Sequence, residues 1–361
     1  MVPSISTEGP VGAYIYYDAQ VPLVERLCLE NILSGERNGG RAYNYREAVH
    51  LIRDGWVARG SVVRAADDGK DREVRSRYVV NCTGPWVDGF LGVSLGRTNP
   101  LLTVTKGIHL FCPRFCEEAV VFCSSDRRLL FAIPWKGRSL VGTTDTVYCG
   151  PVEDVRSERE DVEYLLAALD GRFPGVDPRP LLHRRRAQAA GVGGFETPLE
   201  DIPGYSVVDH GEDGADGLLS VEGVKITEYR AAAEKVGALV SLRLGVRIAS
   251  KTATVPVSED PSDSGAAGPL PKPVEEHLLD LYGPRAGLAA QEIATDGSLL
   301  SALCPHNPDI EAQVVVAVKF ERARNVADFL LRRSCIGYAP LQRARRRWQG
   351  RPADGCPPRV V

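Results

Sequence analysis

The sequence predicts an α+β fold in which a larger mixed sheet with flanking helices is followed by a smaller helical domain. Short apolar runs with little helical periodicity fill most of residues 48–146, which is typical of a sheet packed on one face. The region at about 274–348 reads as a series of helical segments. Residues 256–273 are rich in Pro, Ser, Gly and Asp, which indicates a linker. We therefore expect a first part at 1–255 and a C-terminal helical domain at 274–361.

The composition is that of an ordinary globular protein of 361 residues, with 43% hydrophobic and 25% charged residues. A chain of this length can form two domains with sizeable cores. The formal net charge of −3 gives no reason to expect nucleic acid as a partner. No stretch approaches the roughly 18 consecutive apolar residues of a membrane span, and the first residues lack the pattern of a secretory signal. We expect a cytoplasmic protein whose nine cysteines stay reduced.

The first part opens with a predicted helix at 18–40, where six apolar residues recur at helical spacing before Gly39-Gly40 ends the run. Three strand-like runs follow, at Ala48–Arg53, Gly60–Ala65 and Glu73–Val80. The third run continues into the letters VVNCTGPW, an apolar strand that ends in a Gly-Pro turn.

The next predicted elements are three strands within residues 101–146, read from LLTVTKGIHLFC, RRLLFAIPW and RSLVGTTDT. A helix is predicted at Glu153–Arg172, a strand and turn at Gly217–Thr227, and an alanine-rich helix at Glu228–Leu244. The helical segments of the C-terminal part begin near Val274, Gly287, Pro308 and Val326.

The run VVNCTGPWV (Val79–Val87) is the most informative motif. Small residues after a buried strand allow the backbone to approach a ligand closely. The run resembles the segment ending in A-T-G that packs beside FAD in flavoproteins of the glutathione-reductase-like class, with Cys82 in place of the usual alanine. Taken alone, it fits an ordinary junction between a strand and a turn better than a nucleotide site.

Six other segments occur in order and at fitting distances around this run. They are YDAQV (Tyr17–Val21), LTVTKGIHL (Leu102–Leu110), FAIPWKGRSLVGTTDT (Phe131–Thr146), EDVEYLL (Glu160–Leu166), SVEGVKITEYR (Ser220–Arg230) and VADFLLRRSCIGY (Val326–Tyr338). The ordered set resembles the FAD-dependent glycerol-3-phosphate dehydrogenase family over nearly the whole chain. It refines the predicted fold to a truncated glutathione-reductase-like FAD-dependent oxidoreductase fold with an antiparallel substrate sheet.

The resemblance implies a reaction in which FAD accepts a hydride from C2 of sn-glycerol 3-phosphate, giving dihydroxyacetone phosphate, and electrons then pass to a quinone or another acceptor. This chemistry requires a base for the C2 hydroxyl proton, cations for the substrate phosphate, and positive charge near the flavin. The resemblance also admits a homodimer and peripheral contact with the inner face of the membrane.

Lys225 is the first candidate for such a charge, because GVKIT resembles the family's G-G-K-L-T-T-Y-R segment beside the flavin. Gly223 and Thr227 match that motif, whereas Val224 and Glu228 replace a glycine and a threonine. A carboxylate beside an anionic cofactor is unfavourable unless it points away. A solvated surface lysine is the alternative interpretation.

Lys106 and His109 lie in TKGIHL, which resembles the family's substrate-proximal strand. Positions 106 and 109 of a strand face opposite sides, so both reach one site only if Gly107 breaks the alternation. A purely structural role is the alternative for His109. Residues 143–145 match the family's G-T-T-D but equally suit a turn that closes a hairpin.

The resemblance implies two sets of site residues and no metal site. The predicted catalytic residues are Lys225, His109 and Lys106. The predicted cofactor-binding residues are Ala48, Val49, Cys82, Thr83, Gly84, Gly223, Lys225, Ile226 and Thr227. Cys112, Cys116 and Cys123 lie close together in sequence, but a zinc site would need a fourth ligand and none has suitable spacing.

Two departures from the family pattern limit the prediction of activity. The G-x-G-x-x-G fingerprint is missing, so we expect the chain to begin after the fingerprint strand and its helix. Gly193 stands where a substrate-binding arginine belongs. Three readings stay open: a family member truncated by a late start codon, a non-catalytic remnant or interaction protein, and a related oxidase or amino-acid-type flavoenzyme.

Overall fold

The computed structural model describes residues 5–6, 12–176, 204–258, 270–305, 307–334 and 336–338, and the backbone of 182–191. Gly193, most of the predicted linker at 256–273 and the C-terminal residues from 339 onward lie outside these ranges. The contacts divide the chain into two compact units, one formed by Met1–Tyr17 with Arg41–Pro256 and the other by Asp18–Gly40 with Val257–Val361.

The structure has fourteen strands and eight α-helices within the described ranges. The strands are β1 (Arg46–Asp54), β2 (Val57–Ala65), β3 (Asp71–Arg75), β4 (Val79–Asn81), β5 (Leu102–Pro113), β6 (Val120–Cys123), β7 (Leu129–Trp135), β8 (Arg138–Gly142), β9 (Thr146–Val147), β10 (Leu182–Gly191), β11 (Ser206–Asp209), β12 (Leu218–Glu222), β13 (Ala302–Cys304) and β14 (Asn307–Ile310). The helices are α1 (Val24–Arg37), α2 (Val87–Leu95), α3 (Arg159–Asp170), α4 (Tyr229–Arg243), α5 (Lys272–Tyr282), α6 (Ala286–Thr295), α7 (Glu311–Lys319) and α8 (Val326–Arg332). No helix in these ranges is both long and apolar enough to cross a membrane.

The larger unit contains three sheets. Strands β1, β2 and β3 form an antiparallel meander. Strands β10, β5, β8, β7 and β6 form an antiparallel sheet in that order, and β9 pairs with β5. The third sheet has the order β11-β12-β4, in which β12 is antiparallel to β11 and parallel to β4.

Helix α3 covers one face of the antiparallel sheet, because alternate residues on the strands point to it. The core between them is built from Leu110, Phe122, Leu130, Ala132, Val141, Leu165, Leu169 and Phe173. Phe111 and Trp135 point to the opposite face and make an edge-on ring contact at 5.1 Å between centroids. This second face also carries Phe131, which is 39% exposed.

The smaller unit packs α1 with α5 to α8, so the predicted helix near the start of the chain belongs to the C-terminal unit. Its apolar core includes Leu278, Tyr282, Ala289, Ile310 and Val316. The predicted domain limits at 255 and 273 stay a prediction.

Most predicted elements are confirmed, but helix α2 and strands β6, β10, β11, β13 and β14 were not predicted. The predicted run Glu73–Val80 is two strands, because a break at Ser76–Tyr78 carries the chain from the meander to the sheet that contains β4. Strand β6 was not predicted, because Val120–Cys123 is only four residues long.

Candidate cofactor and substrate site

The carboxyl ends of the parallel strands β4 and β12 meet at one edge of their sheet. Asn81 is paired with Ser220, so the chain leaves β4 and β12 from adjacent positions. Cys82–Gly84 follows the first strand and Gly223–Thr227 follows the second. In sheets with parallel strands, ligands bind outside the carboxyl ends of the strands. The structure therefore brings together seven of the nine predicted cofactor-binding residues.

The turn after β4 is held by the side chain of Asn81. Its Oδ1 accepts hydrogen bonds from the Thr83 backbone N–H at 3.1 Å and from the Thr83 hydroxyl at 2.7 Å. Gly84 and Gly223, which follow the two strands, have φ values of +60° and +71°, where an L side chain would be strained. A single 3-10 turn at Gly84–Trp86 then leads into α2.

The turn after β12 presents Lys225 and Thr227 to solvent, while Gly223 and Ile226 are half-buried. The Glu228 carboxylate, which departs from the family motif, accepts from the Lys225 backbone N–H at 3.4 Å. It also lies against Gly204, where an added Cβ would collide with it. The Glu228 side chain is therefore directed towards the residues that precede α4.

Ala48 and Val49 lie on β1, outside the sheet that contains β4. The register between β1 and β2 shifts between Ala48 and His50, which makes Val49 a bulge residue. The bulge is followed by Leu51, whose N–H donates to the buried Ser94 Oγ of α2 at 3.0 Å. The role of Ala48 and Val49 in cofactor binding stays a prediction.

Lys106 is buried and its ammonium is engaged by two carboxylates at the start of α3. Its Nζ lies 2.5 Å from Glu158 Oε2 and 2.8 Å from Asp161 Oδ2. Burial alone lowers the pKa of Lys106, but its hydrogen bonds to Asp161 and Glu158 outweigh that effect, so the pKa is raised. These contacts fasten α3 to the antiparallel sheet.

His109 lies on the other face of β5. Strand β5 pairs with β10 in unbroken register from Leu102 to Phe111, so Gly107 does not interrupt the alternation. Lys106 and His109 therefore lie on opposite faces of β5 and do not share one site. His109 is half-buried and its ring packs over Gly142, its partner on β8. The catalytic roles of both residues stay predictions.

Thr144 has a structural role in the G-T-T-D segment. It is 4% exposed, its Oγ1 accepts from the Ile108 N–H at 2.9 Å, and its own N–H donates to the Ile108 carbonyl at 3.2 Å. These bonds lock the segment to β5. Thr143 is half-buried and donates to the Thr144 carbonyl at 2.9 Å.

We expect Gly142→Ala to destabilise the protein by about 1–3 kcal/mol, because the new Cβ would lie 2.8 Å from the Ile108 carbonyl oxygen and 2.7 Å from the His109 ring. Gly237→Ala is the matched control, because Gly237 lies inside α4 with nothing within 4 Å of its added Cβ. The control should stabilise by about 0.4–1 kcal/mol. Urea denaturation of both variants measures this, and equal effects would contradict the close packing of Ile108 and His109 against Gly142.

Strand β10, at the edge of the antiparallel sheet, lies close to the carboxyl ends of β4 and β12. Its backbone contacts both the 3-10 turn at Gly84–Trp86 and β12. The candidate site therefore lies where the edge of this sheet adjoins the turns after β4 and β12.

Within the described part of the chain, no three His, Cys, Asp or Glu side chains are grouped so as to hold a metal ion. Cys112 and Cys116 are buried, and burial raises the pKa of Cys112 to about 12.

Three polar residues near the site were not singled out from sequence: Asn81, His210 and Ser220. All three are 3% exposed or less. An asparagine two residues before a threonine is a signal for a side-chain-stabilised turn, so Asn81 could have been found. His210 could not, because its partner Ser220 lies ten positions away on β12 and spacing alone does not show that the two side chains meet.

Comparisons with known proteins identify the family to which the chain belongs. A family model described as FAD dependent oxidoreductase matches residues 1–218, and one described as the C-terminal domain of alpha-glycerophosphate oxidase matches residues 228–349. The glycerol-3-phosphate dehydrogenase of Synechocystis sp. is 30% identical, over 91% of this chain and 64% of the relative. The aerobic glycerol-3-phosphate dehydrogenase of Staphylococcus haemolyticus is 28% identical, over 92% of this chain and 63% of the relative.

A solved structure, the glycerol-3-phosphate dehydrogenase from Bacillus halodurans complexed with FAD, superposes with a TM-score of 0.72. It is 24% identical and matches 89% of this chain and 66% of its own chain, which confirms the predicted fold. The chain thus spans a little under two thirds of the length of the curated relatives named above. With a family model matching more than half of its residues, the chain belongs to the FAD-dependent oxidoreductase family and carries the C-terminal domain of alpha-glycerophosphate oxidase.

Proposed function

We propose that this chain serves the FAD-dependent oxidation of sn-glycerol 3-phosphate to dihydroxyacetone phosphate, with electrons passed on to a quinone or another acceptor. The observation that carries the proposal is the meeting of Cys82–Gly84 and Gly223–Thr227 at the carboxyl ends of two parallel strands. The names of the relatives support the choice of glycerol 3-phosphate as substrate.

The residues at the strand ends fit a dinucleotide. Gly84 and Gly223 leave the backbone open to close approach, and nothing lies within 4 Å of an added Cβ at Gly84. The N-terminus of α2 follows the first turn, where backbone N–H groups favour an anionic group. We propose that Cys82–Gly84 and Gly223–Thr227 hold FAD, which when bound supplies the hydride-accepting ring.

Lys225 is the cation that we assign to the reduced cofactor. Its side chain is exposed beside the turn after β12, and the neighbouring Glu228 carboxylate is directed to the Lys225 backbone N–H and Gly204. Positive charge at this position stabilises negative charge on the ring. We assign the C2 hydroxyl proton to His109, which lies on the face of β5 opposite α3.

Replacing Lys225 by methionine tests this assignment. We expect the reduction of bound FAD by glycerol 3-phosphate to slow by about tenfold, because one favourable charge interaction is worth about 1–2 kcal/mol. Lys272→Met is the matched control, since Lys272 is an 84% exposed lysine at the start of α5. Stopped-flow absorbance measures both rates. A Lys225→Met protein reduced as fast as the control would remove Lys225 from the proposal.

A further inference from the structure

Five residues form a continuous hydrogen-bonded chain from the surface to the turn after β4. Asp213 Oδ2 lies 2.8 Å from His210 Nδ1, and His210 Nε2 lies 2.9 Å from Ser220 Oγ. Asn81 Nδ2 donates to Ser220 Oγ at 3.3 Å, and Asn81 Oδ1 accepts both bonds from Thr83. At the outer end, Arg97 pairs with Asp213 at 2.8 Å.

The order Asp213, His210, Ser220 matches the order of roles in a hydrolase triad, but burial excludes that chemistry. His210 and Ser220 are both 0% exposed, so no substrate can reach Ser220 Oγ. The same oxygen also accepts from Asn81. A nucleophilic serine must instead be accessible to the bond that it attacks.

The chain of bonds has a direction that is set at Asp213. A carboxylate can only accept, so His210 Nδ1 carries a proton, and in the neutral imidazole Nε2 then accepts from the Ser220 hydroxyl. Ser220 Oγ then accepts from the Asn81 amide group, and this leaves the Asn81 carbonyl oxygen facing Thr83. A flipped Asn81 would set its NH₂ group against the Thr83 N–H, with two donors facing each other.

We propose that Asp213, His210 and Ser220 form a positioning relay that orients Asn81 and thereby fixes the cofactor-facing turn at Thr83 and Gly84. The inference rests on the proposed function only where it concerns FAD. Its members are positioning residues, because none of them occupies the exposed end of the turn. Buried polar networks specify a single arrangement when every member is satisfied.

Two substitutions of His210 separate the relay from simple packing. In His210→Gln the amide reaches the position of Nε2 and can accept from Ser220, whereas in His210→Asn it reaches only the position of Nδ1. We expect hydrogen exchange at the Thr83 amide, relative to Val80 in the preceding strand β4, to rise about tenfold in His210→Asn and less than twofold in His210→Gln. Equal rates in the two variants would overturn the relay.

Ser220→Ala and Ser139→Ala provide a matched pair of buried serines, both 0% exposed. Ser139 lies on β8, where its Oγ accepts from the Phe115 N–H at 3.0 Å, away from the turn after β4. We expect faster Thr83 exchange in Ser220→Ala alone. Faster exchange in both variants would indicate general loosening of the fold and would contradict the relay.

Fluorescence titration with FAD gives the second readout. We expect the Kd for FAD to rise about tenfold in His210→Asn and to stay within twofold of wild type in His210→Gln. A wild-type chain that leaves FAD unbound would count against the proposed function, while the exchange measurements would still decide the relay. An unchanged Kd in His210→Asn with intact wild-type binding would contradict the role of the relay toward FAD.

Discussion

Replacing Glu321 by alanine is expected to destabilise the C-terminal unit by about 3–5 kcal/mol, because it leaves two buried guanidinium groups without their shared carboxylate. Glu321 is 0% exposed. Its Oε1 accepts from Arg26 Nη1 at 2.5 Å and from Arg285 Nη2 at 2.8 Å. Arg285 also donates to Glu30 at 2.6 Å, so the network joins α1 to the segment between α5 and α6.

The network explains why α1 belongs to the C-terminal unit. The Arg26 guanidinium lies 4.3 Å from the centroid of the Tyr282 ring, which adds a cation–π contact inside the same core. Burial of Arg26 and Arg285 is tolerated only because the buried Glu321 and the half-buried Glu30 pair with them. A helix near the start of the chain is thus fixed to helices that come more than 230 residues later.

Glu276→Ala is the control for Glu321→Ala, since Glu276 is an exposed residue of α5 whose pair with Lys272 is 3.8 Å long. An exposed pair of this kind contributes at most about 1 kcal/mol. Unfolding in guanidinium chloride, followed by circular dichroism, measures the free energy of unfolding of both variants. A loss of less than about 1 kcal/mol in Glu321→Ala would contradict a stabilising role for the buried network.

Lys106→Met is expected to destabilise the larger unit by about 3 kcal/mol, because it leaves the buried Asp161 carboxylate without its cation. The double variant Lys106→Met with Asp161→Leu should recover most of this loss, since an apolar pair of similar volume needs no charge compensation. A phosphate-binding lysine would behave differently. It would raise the KM for glycerol 3-phosphate and leave stability unchanged.

The same variant has a defined pH dependence. The pKa of Lys106 is raised above its ordinary value of 10.5, so the folded state holds the proton more tightly than the unfolded state. Its contribution is fully present below pH 10.5 and is lost as the pH rises toward the folded pKa. The stability difference between wild type and Lys106→Met should therefore stay constant from neutral pH to about 9.5 and shrink above 10.5. A difference that falls between pH 7 and 9 would contradict the ion pairs.

The fold could be predicted in most of its elements because the hydrophobic patterns are local. Helix α1 was recognised from its helical spacing, α4 from its alanine content, and β5 from an apolar run with little helical periodicity. The assignment of α1 to the C-terminal unit could not be predicted, since it depends on the ion pairs of Arg26 with Glu321 and of Glu30 with Arg285. Sequence spacing contains no signal for such distant pairs.

The site was predicted in part for the same reason. The run Val79–Val87 and the segment around Lys225 each have a recognisable pattern, and the pairing of β4 with β12 brings them together. The geometry of β5 was harder to predict from the sequence. The unbroken register that separates Lys106 from His109 depends on β10, which lies far along the chain. The partners of Lys106 on α3 are likewise about fifty positions away.

Anaerobic titration of the purified chain with FAD, followed by addition of sn-glycerol 3-phosphate, tests both binding and reduction of the flavin. We expect the chain to bind FAD, and we expect sn-glycerol 3-phosphate to bleach the visible absorbance of the bound flavin. Glycerol, which lacks the phosphate, should leave the absorbance unchanged. A chain that does not bind FAD, or whose bound FAD stays oxidised after addition of glycerol 3-phosphate, would contradict the proposed function.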